Sequence, residues 1–385
     1  MIAPSAQPPS DAAGLYIHVP FCHAKCTYCG FYSEPVAGHD PERLLSALIA
    51  ELDRYRRVSA IETIYVGGGS PTSLPLSLLR RLLDAVVSRW PDTHEFTVEC
   101  NPGQTNELVL ATLREAGVNR LSFGVQSFND KELLLLGRRH NAADAVKPIE
   151  RARNFGFDNI GIDLIFAIPG STLDSWNHSL RCAIVLGIQH ISAYSLSFEE
   201  GTSLYNARAA GRLKAVDEET DRAMYELAID FLDSAGFAQY EISNFARDGY
   251  ACIHNQGYWD NRPYIGIGPS AVSYWQGRRT LNVSDIRAYV RDIEAGCHAH
   301  EQIEQPDANQ QVCETAVLNL RSRKGISLTR FNEFTGADFA DVFAEPVERY
   351  RSQGLMEIDG DMVRLTRNAL PVADSILCDF AAIRG

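Results

Sequence analysis

Gly14-Leu15-Tyr16-Ile17-His18-Val19-Pro20-Phe21-Cys22-His23-Ala24-Lys25-Cys26-Thr27-Tyr28-Cys29-Gly30-Phe31 is an apolar, strand-like run that ends in three cysteines spaced Cys-x3-Cys-x2-Cys. The residues before it lack the basic start and continuous apolar stretch of a signal peptide. In a reducing compartment, thiols crowded this closely serve a metal better than disulfides. Soft sulfur donors suit zinc or an iron–sulfur cluster. A four-iron cube has four corners, so three cysteines leave one iron open to a bound molecule. Two other readings stand beside this one: zinc closed by His18 or His23, and three core cysteines with no metal.

Around this stretch, 385 residues predict two domains, or one large domain with an appendage. Apolar residues at 45% and charged residues at 22% are those of a soluble globular chain. A net charge of −13 argues against a surface built for nucleic acid, so no nucleic-acid partner is expected. Cys100, Cys182, Cys252, Cys297, Cys313 and Cys378 form no Cys-x-x-Cys pair and read as small buried residues. Residues 1–13, rich in Ala, Pro and Ser, read as a disordered tail. No apolar run reaches membrane-spanning length, and a cytoplasmic location is expected.

Six strand-like runs (Leu15–Val19, Ile61–Val66, Glu95–Glu99, Arg120–Val125, Asn159–Phe166, His190–Leu196) alternate with helical segments such as Asp40–Arg57 and Leu76–Trp90. Such alternation implies right-handed crossovers and a parallel sheet. The fold class expected is α/β: a partial, open six-unit βα barrel over 14–236, an extension and linker over 237–306, and a small winged-helix-like domain over 307–385. Within that last part the pattern predicts helices Gln310–Leu320, Leu328–Thr335 and Asp338–Gln353, then a hairpin turning at Asp359-Gly360. It reads as a lid or a partner-docking module.

In such barrels the reactive residues follow the C-terminal ends of the strands. There the sequence has Gly67-Gly68-Gly69-Ser70-Pro71-Thr72, Glu99-Cys100-Asn101-Pro102 and Gly124-Val125-Gln126-Ser127-Phe128-Asn129. Asp163, inside Ile162-Asp163-Leu164-Ile165, is costly to bury unless it binds something. Glycines at such a turn let backbone approach a ligand closely.

These motifs together resemble the radical S-adenosylmethionine superfamily, and within it the oxygen-independent coproporphyrinogen III oxidase branch. The resemblance runs from about Gly14 to at least Tyr274. It implies that Cys22, Cys26 and Cys29 hold a 4Fe-4S cluster whose open iron is chelated by S-adenosylmethionine. It also implies that Tyr16, Gly68, Glu99 and Val272 contact that molecule. Tyr28, Gly69, Ser70, Gln126, Arg138, Asp163 and Ser197 resemble contacts to a second S-adenosylmethionine in the oxidase. A plainer reading has Arg138 and Asp163 paired across the barrel mouth.

Two departures turn the resemblance from the oxidase toward the heme chaperones of the same branch. Phe31 stands where the oxidase has a further cysteine, and only a short segment precedes Cys22. Leu136-Gly137-Arg138-Arg139-His140 and His254-Asn255-Gln256-Gly257-Tyr258-Trp259 are similar to the chaperones. The implied partners are heme and heme-receiving respiratory proteins at the membrane surface, with a homodimer as a further expectation. His254, beside two aromatic rings, is the expected axial donor to heme, with His140 and Cys252 in reserve. The same His, Asn, Tyr and Trp cluster can instead tie the barrel to the C-terminal domain by hydrogen bonds. The enzyme reading, decarboxylation of coproporphyrinogen propionates by a 5′-deoxyadenosyl radical, stays open beside the carrier.

Overall fold

The computed structural model describes residues 12–58 and 60–383. Most of the expected tail, residues 1–11, lies outside them, and Ala13 already belongs to a strand. Six parallel strands carry the chain upward: β1 (Ala13–Val19), β2 (Ile61–Gly68), β3 (Glu95–Cys100), β4 (Arg120–Gln126), β5 (Asn159–Phe166) and β6 (His190–Ser195). Their covering helices are α1 (Pro41–Arg54), α2 (Leu76–Val87), α3 (Glu107–Glu115), α4 (Asp130–Leu135), α5 (Ala142–Asn154) and α6 (Leu173–Val185). The sequence explains α1 well. Asp40 accepts the Arg43 N–H at 3.1 Å as N-cap, Pro41 sits where no N–H is needed, and Leu44, Leu45, Leu48 and Leu52 are buried. α2 stops at Val87 rather than Trp90, whose indole Nε1 donates to Val58 O at 2.9 Å.

Residues 237–306, expected as barrel extension and linker, build both edges of the same sheet. β7 (Ala238–Gln239) and β8 (Asn244–Ala246) add to β6, and β9 (Tyr264–Ile267), β10 (Val272–Trp275), β11 (Arg278–Asn282) and β12 (His300–Glu304) add to β1. The strand order is β12-β11-β10-β9-β1-β2-β3-β4-β5-β6-β8-β7, an open barrel. β9 is a seventh parallel strand, Gly14 lying opposite Tyr264 and Ile17 opposite Ile267. After β6 come α7 (Ser203–Ala209) and α8 (Glu218–Ser234), while α9 (Ile253–Trp259) closes the end of the barrel where the strands begin.

α10 (Ile286–Glu294) packs on α1 and leads to the C-terminal part, which starts with α11 (Ala308–Arg321) and holds a three-stranded sheet, β13 (Ile326–Ser327), β14 (Met356–Asp359) and β15 (Met362–Leu365), in the order β13-β15-β14. The helix expected over Asp338–Gln353 is two, Phe339–Val342 and Ala344–Ser352. Pro346 has no N–H to give and would clash with the carbonyl four residues back, so it is placed in a fresh first turn. The hairpin turns at Gly360-Asp361, one residue later than expected, with Gly360 at φ +59°. This part docks beneath the barrel. Asn319 donates to Trp259 O at 2.7 Å, Asn261 to Thr315 Oγ1 at 3.0 Å, and Arg279 forks onto Glu314 at 2.7 Å.

Candidate cofactor and ligand site

The cysteine loop leaves β1 and is held from three sides. Phe21–Cys22 pairs with Glu34–Pro35. Thr27 donates its N–H to Leu136 O at 3.1 Å and its hydroxyl to Leu135 O at 2.8 Å, and its own carbonyl accepts from Leu204 N at 2.9 Å. His18 clips the loop at its base: Nδ1 meets the Tyr16 hydroxyl at 3.0 Å and Nε2 the Tyr32 carbonyl at 3.0 Å. Burial lowers its pKa to about 4. With both nitrogens engaged, His18 is not a zinc donor.

Cys22, Cys26 and Cys29 are half-buried and line a cavity of about 1160 Å³ at the C-terminal ends of the strands. Burial pushes the Cys22 thiol up to about 11, with the two neighbouring thiols adding to the rise. Among the described residues no three His, Cys, Asp or Glu side chains gather tightly enough for a single ion. A cube that takes each thiolate at its own corner fits a spread set of three, and metal binding would draw off their protons. Phe31, 74% exposed, stands on the cavity rim.

The glycine run after β2 is required by close approach. A Cβ at Gly67 would stand 2.7 Å from the Glu99 carboxyl, and one at Gly69 would stand 2.5 Å from Phe21 O. The backbone of the run therefore lies directly against the cysteine loop and the acid. Glu99 accepts from the Tyr65 hydroxyl at 2.9 Å and from Gly68 N at 3.0 Å. Burial, and then the nearby Asp163, raise its pKa to about 7.

On the opposite wall, Gln126 holds φ +77° where the β4–β5 register shifts. A non-glycine residue in the left-handed region at a strand's end is strained, and such strain clusters at functional sites. Arg138 does not pair with Asp163. It donates to Gly124 O and, through Nη1, to Cys26 Sγ at 3.5 Å, joining the cysteine loop to the β4 wall. Asp163, raised by burial, accepts from Ser122 Oγ at 3.4 Å.

Of the residues expected at the site, Tyr16, Tyr28, Gly68, Gly69, Ser70, Glu99, Gln126, Arg138, Asp163 and Ser197 all line the cavity with the three cysteines. Val272 and His254 do not. Val272 starts β10, beyond β9. The expectation of His254 as an axial donor is corrected by its surroundings: Nδ1 meets Thr63 Oγ1 at 2.7 Å, Nε2 meets the Tyr258 hydroxyl at 2.9 Å, and the ring stacks on Tyr65. It belongs to the plug at the barrel's lower end, where Glu95 accepts the N–H groups of Ile253 and His254, each at 3.0 Å. Among the described residues none of the cavity's lining lies beyond Asn255, so the C-terminal part, expected as a lid or a docking module, does not cover the cavity in this structure. Asn255, Arg120, Ser122, His190 and Ser192 line the cavity and were missed from sequence.

An open parallel barrel with three loop cysteines, a glycine run and a buried acid at its upper rim has the architecture of a radical S-adenosylmethionine protein. The Radical SAM superfamily profile matches residues 16–183, and the HemN C-terminal domain profile matches 307–372. The heme chaperone HemW of Bacillus subtilis (strain 168) is 36% identical over 371 residues, covering 95% of this chain and 98% of that protein. HemW of Mycobacterium tuberculosis (strain ATCC 25618 / H37Rv) is 35% identical over 378 residues, covering 96% and 95%. Among solved structures, coproporphyrinogen III oxidase (HemN) from Escherichia coli superposes with a TM-score of 0.84 at 23% identity, covering 98% of this chain and 91% of that one. The chain belongs to the HemW family of the radical SAM superfamily.

Proposed function

We propose that the chain is a heme carrier. It keeps a 4Fe-4S cluster on Cys22, Cys26 and Cys29 with S-adenosylmethionine beside it, and it passes heme to respiratory proteins at a membrane surface. The observation that carries this reading is the cavity: about 1160 Å³, against roughly 300–1,000 Å³ for a typical single-ligand site, with the cysteines on its wall. Its volume suits more than one occupant. When bound, the cluster supplies an open iron for the amino acid end of S-adenosylmethionine. Glu99 is the acceptor for the ammonium, and Arg138 the donor for a carboxylate. His140 takes over the axial role from His254. It lines the cavity, Nε2 meets Val125 O at 3.2 Å, and Nδ1 is left for iron. Among the described residues no helix is long and apolar enough to cross a membrane, so the contact with membrane proteins would be made from the surface.

Anaerobically reconstituted protein should bind heme, and His140→Ala should shift the Soret band while His254→Ala leaves it in place. Absence of heme binding refutes the carrier. Gln126, Arg138, Asp163 and Ser197 on the cavity wall favour the second reading, coproporphyrinogen oxidation. Consumption of coproporphyrinogen with S-adenosylmethionine cleavage would establish it.

A further inference from the structure

The lower half of the cavity is lined by polar side chains that the reading above does not use. β4 begins with Arg120 and β6 with His190, each 1% exposed, and both line the cavity at the end away from the cysteines. Arg120 is among the largest fully buried side chains, yet its Nε and Nη1 have no hydrogen-bond partner, and neither has His190 Nδ1. Gly161 leaves the space they occupy: a Cβ there would stand 3.2 Å from His190 Nδ1 and 3.5 Å from Arg120 Nη2. The two groups therefore face the same small volume.

The bonds of this floor leave its polar atoms turned toward the cavity. His190 Nε2 lies 2.8 Å from the Tyr240 hydroxyl. That bond occupies Nε2 and leaves Nδ1 as the ring nitrogen without a partner. The nearby acids are taken. Glu95 is occupied by the α9 N-terminus and Asp163 by Ser122 and Ser192, and among the described residues neither reaches ion-pair distance of Arg120. Two guanidinium N–H positions with no acceptor, beside an unpartnered imidazole nitrogen, are expensive to bury empty-handed. Asn255 adds an amide at the same level.

We propose that Arg120 and His190, with Asn255, form a carboxylate-binding subsite at the barrel floor, and that it takes a propionate of the tetrapyrrole. The proposal rests on the reading of a tetrapyrrole in this cavity. S-adenosylmethionine also carries a carboxylate, but the cysteines fix that end at the opposite rim. Six residue steps along β4 separate Arg120 from Gln126, roughly 20 Å of strand.

The test uses the full-length, cluster-loaded chain and two fluorescent probes, coproporphyrin III and its tetramethyl ester. The wild type should bind the free acid at least tenfold more tightly than the ester. Arg120→Met should lose about that factor for the acid, leave the ester unchanged, and leave S-adenosylmethionine affinity intact. Equal binding of acid and ester by the wild type, which needs no folded variant, overturns the subsite and leaves only water on the floor. A loss of S-adenosylmethionine affinity in Arg120→Met with the porphyrins unaffected overturns the propionate assignment and gives the floor to the other carboxylate. Heme binding without ester discrimination fails this inference alone, whereas absence of any porphyrin or heme binding fails it together with the carrier reading.

Discussion

Glu99 joins the glycine run to the barrel wall, and its ionisation is measurable. Its pKa is raised from 4.5 to about 7, first by burial and then by Asp163. Between those values the folded chain binds a proton that the unfolded chain has released, so stability falls as pH rises through that window. Above pH 7 the cost is complete. At about 1.4 kcal/mol per pH unit it amounts to about 3 kcal/mol. Glu99→Gln removes the charge. It sets an amide N–H against one of two donors, the Tyr65 hydroxyl or Gly68 N, and returns roughly 1 kcal/mol of that gain. Without S-adenosylmethionine, the variant should therefore melt close to the wild type at pH 5 and several degrees above it at pH 8. Adding S-adenosylmethionine at pH 8 should shrink the gap, because an ammonium partner stabilises the carboxylate in the wild type alone. The measurement is the melting temperature of both proteins at half-unit steps from pH 5 to 8. A difference that stays constant across that range would mean that Glu99 ionises as an ordinary carboxylate, and the argument for an ammonium site would fall with it.

Replacing Cys22, Cys26 or Cys29 by Ala should abolish iron and sulfide after anaerobic reconstitution, while Cys182→Ala retains both; stoichiometric zinc in the wild type would refute the cluster. Glu51→Ala strands three donors, the Tyr289 hydroxyl, Gly268 N and Asn282 Nδ2, now 2.6, 2.8 and 3.0 Å from its carboxylate. It should cost about 2–4 kcal/mol in denaturant unfolding, and a loss below 1 kcal/mol would contradict that accounting. Gly69→Ala drives a methyl into the Phe21 backbone and should lower reconstituted iron content with the circular dichroism spectrum unchanged. Full iron loading would show that the loop has slack.

What was legible in the sequence had a local cause. The six strands and the helices between them announce themselves by period, and the residues after the strand ends follow from where such barrels keep their chemistry. β9 was hidden because Gly266 interrupts its apolar run. That glycine is there for a long-range reason, since a Cβ would stand 2.1 Å from Val272 O across the β9–β10 turn. α9 is seven residues long, too short to show a period, and its place is set by Glu95, more than 150 residues earlier.

The same logic explains why His254 misled and Arg120 went unnoticed. A histidine beside a tyrosine and a tryptophan looks like a heme ligand until Thr63 and Tyr258 are seen to use both its nitrogens, and those partners come from β2 and from the next turn of α9. Arg120 opens a strand, at the end where barrel residues are expected to serve stability. Its long side chain carries the charge inward and leaves it beneath the cavity without an acceptor, next to a histidine seventy residues away in sequence. The plug formed by α9 makes that arrangement possible: the N–H groups of Ile253 and His254 hold the Glu95 carboxylate at the end of the barrel, outside hydrogen-bond reach of Arg120, and the guanidinium Nε and Nη1 stay unpartnered beneath the ligand space.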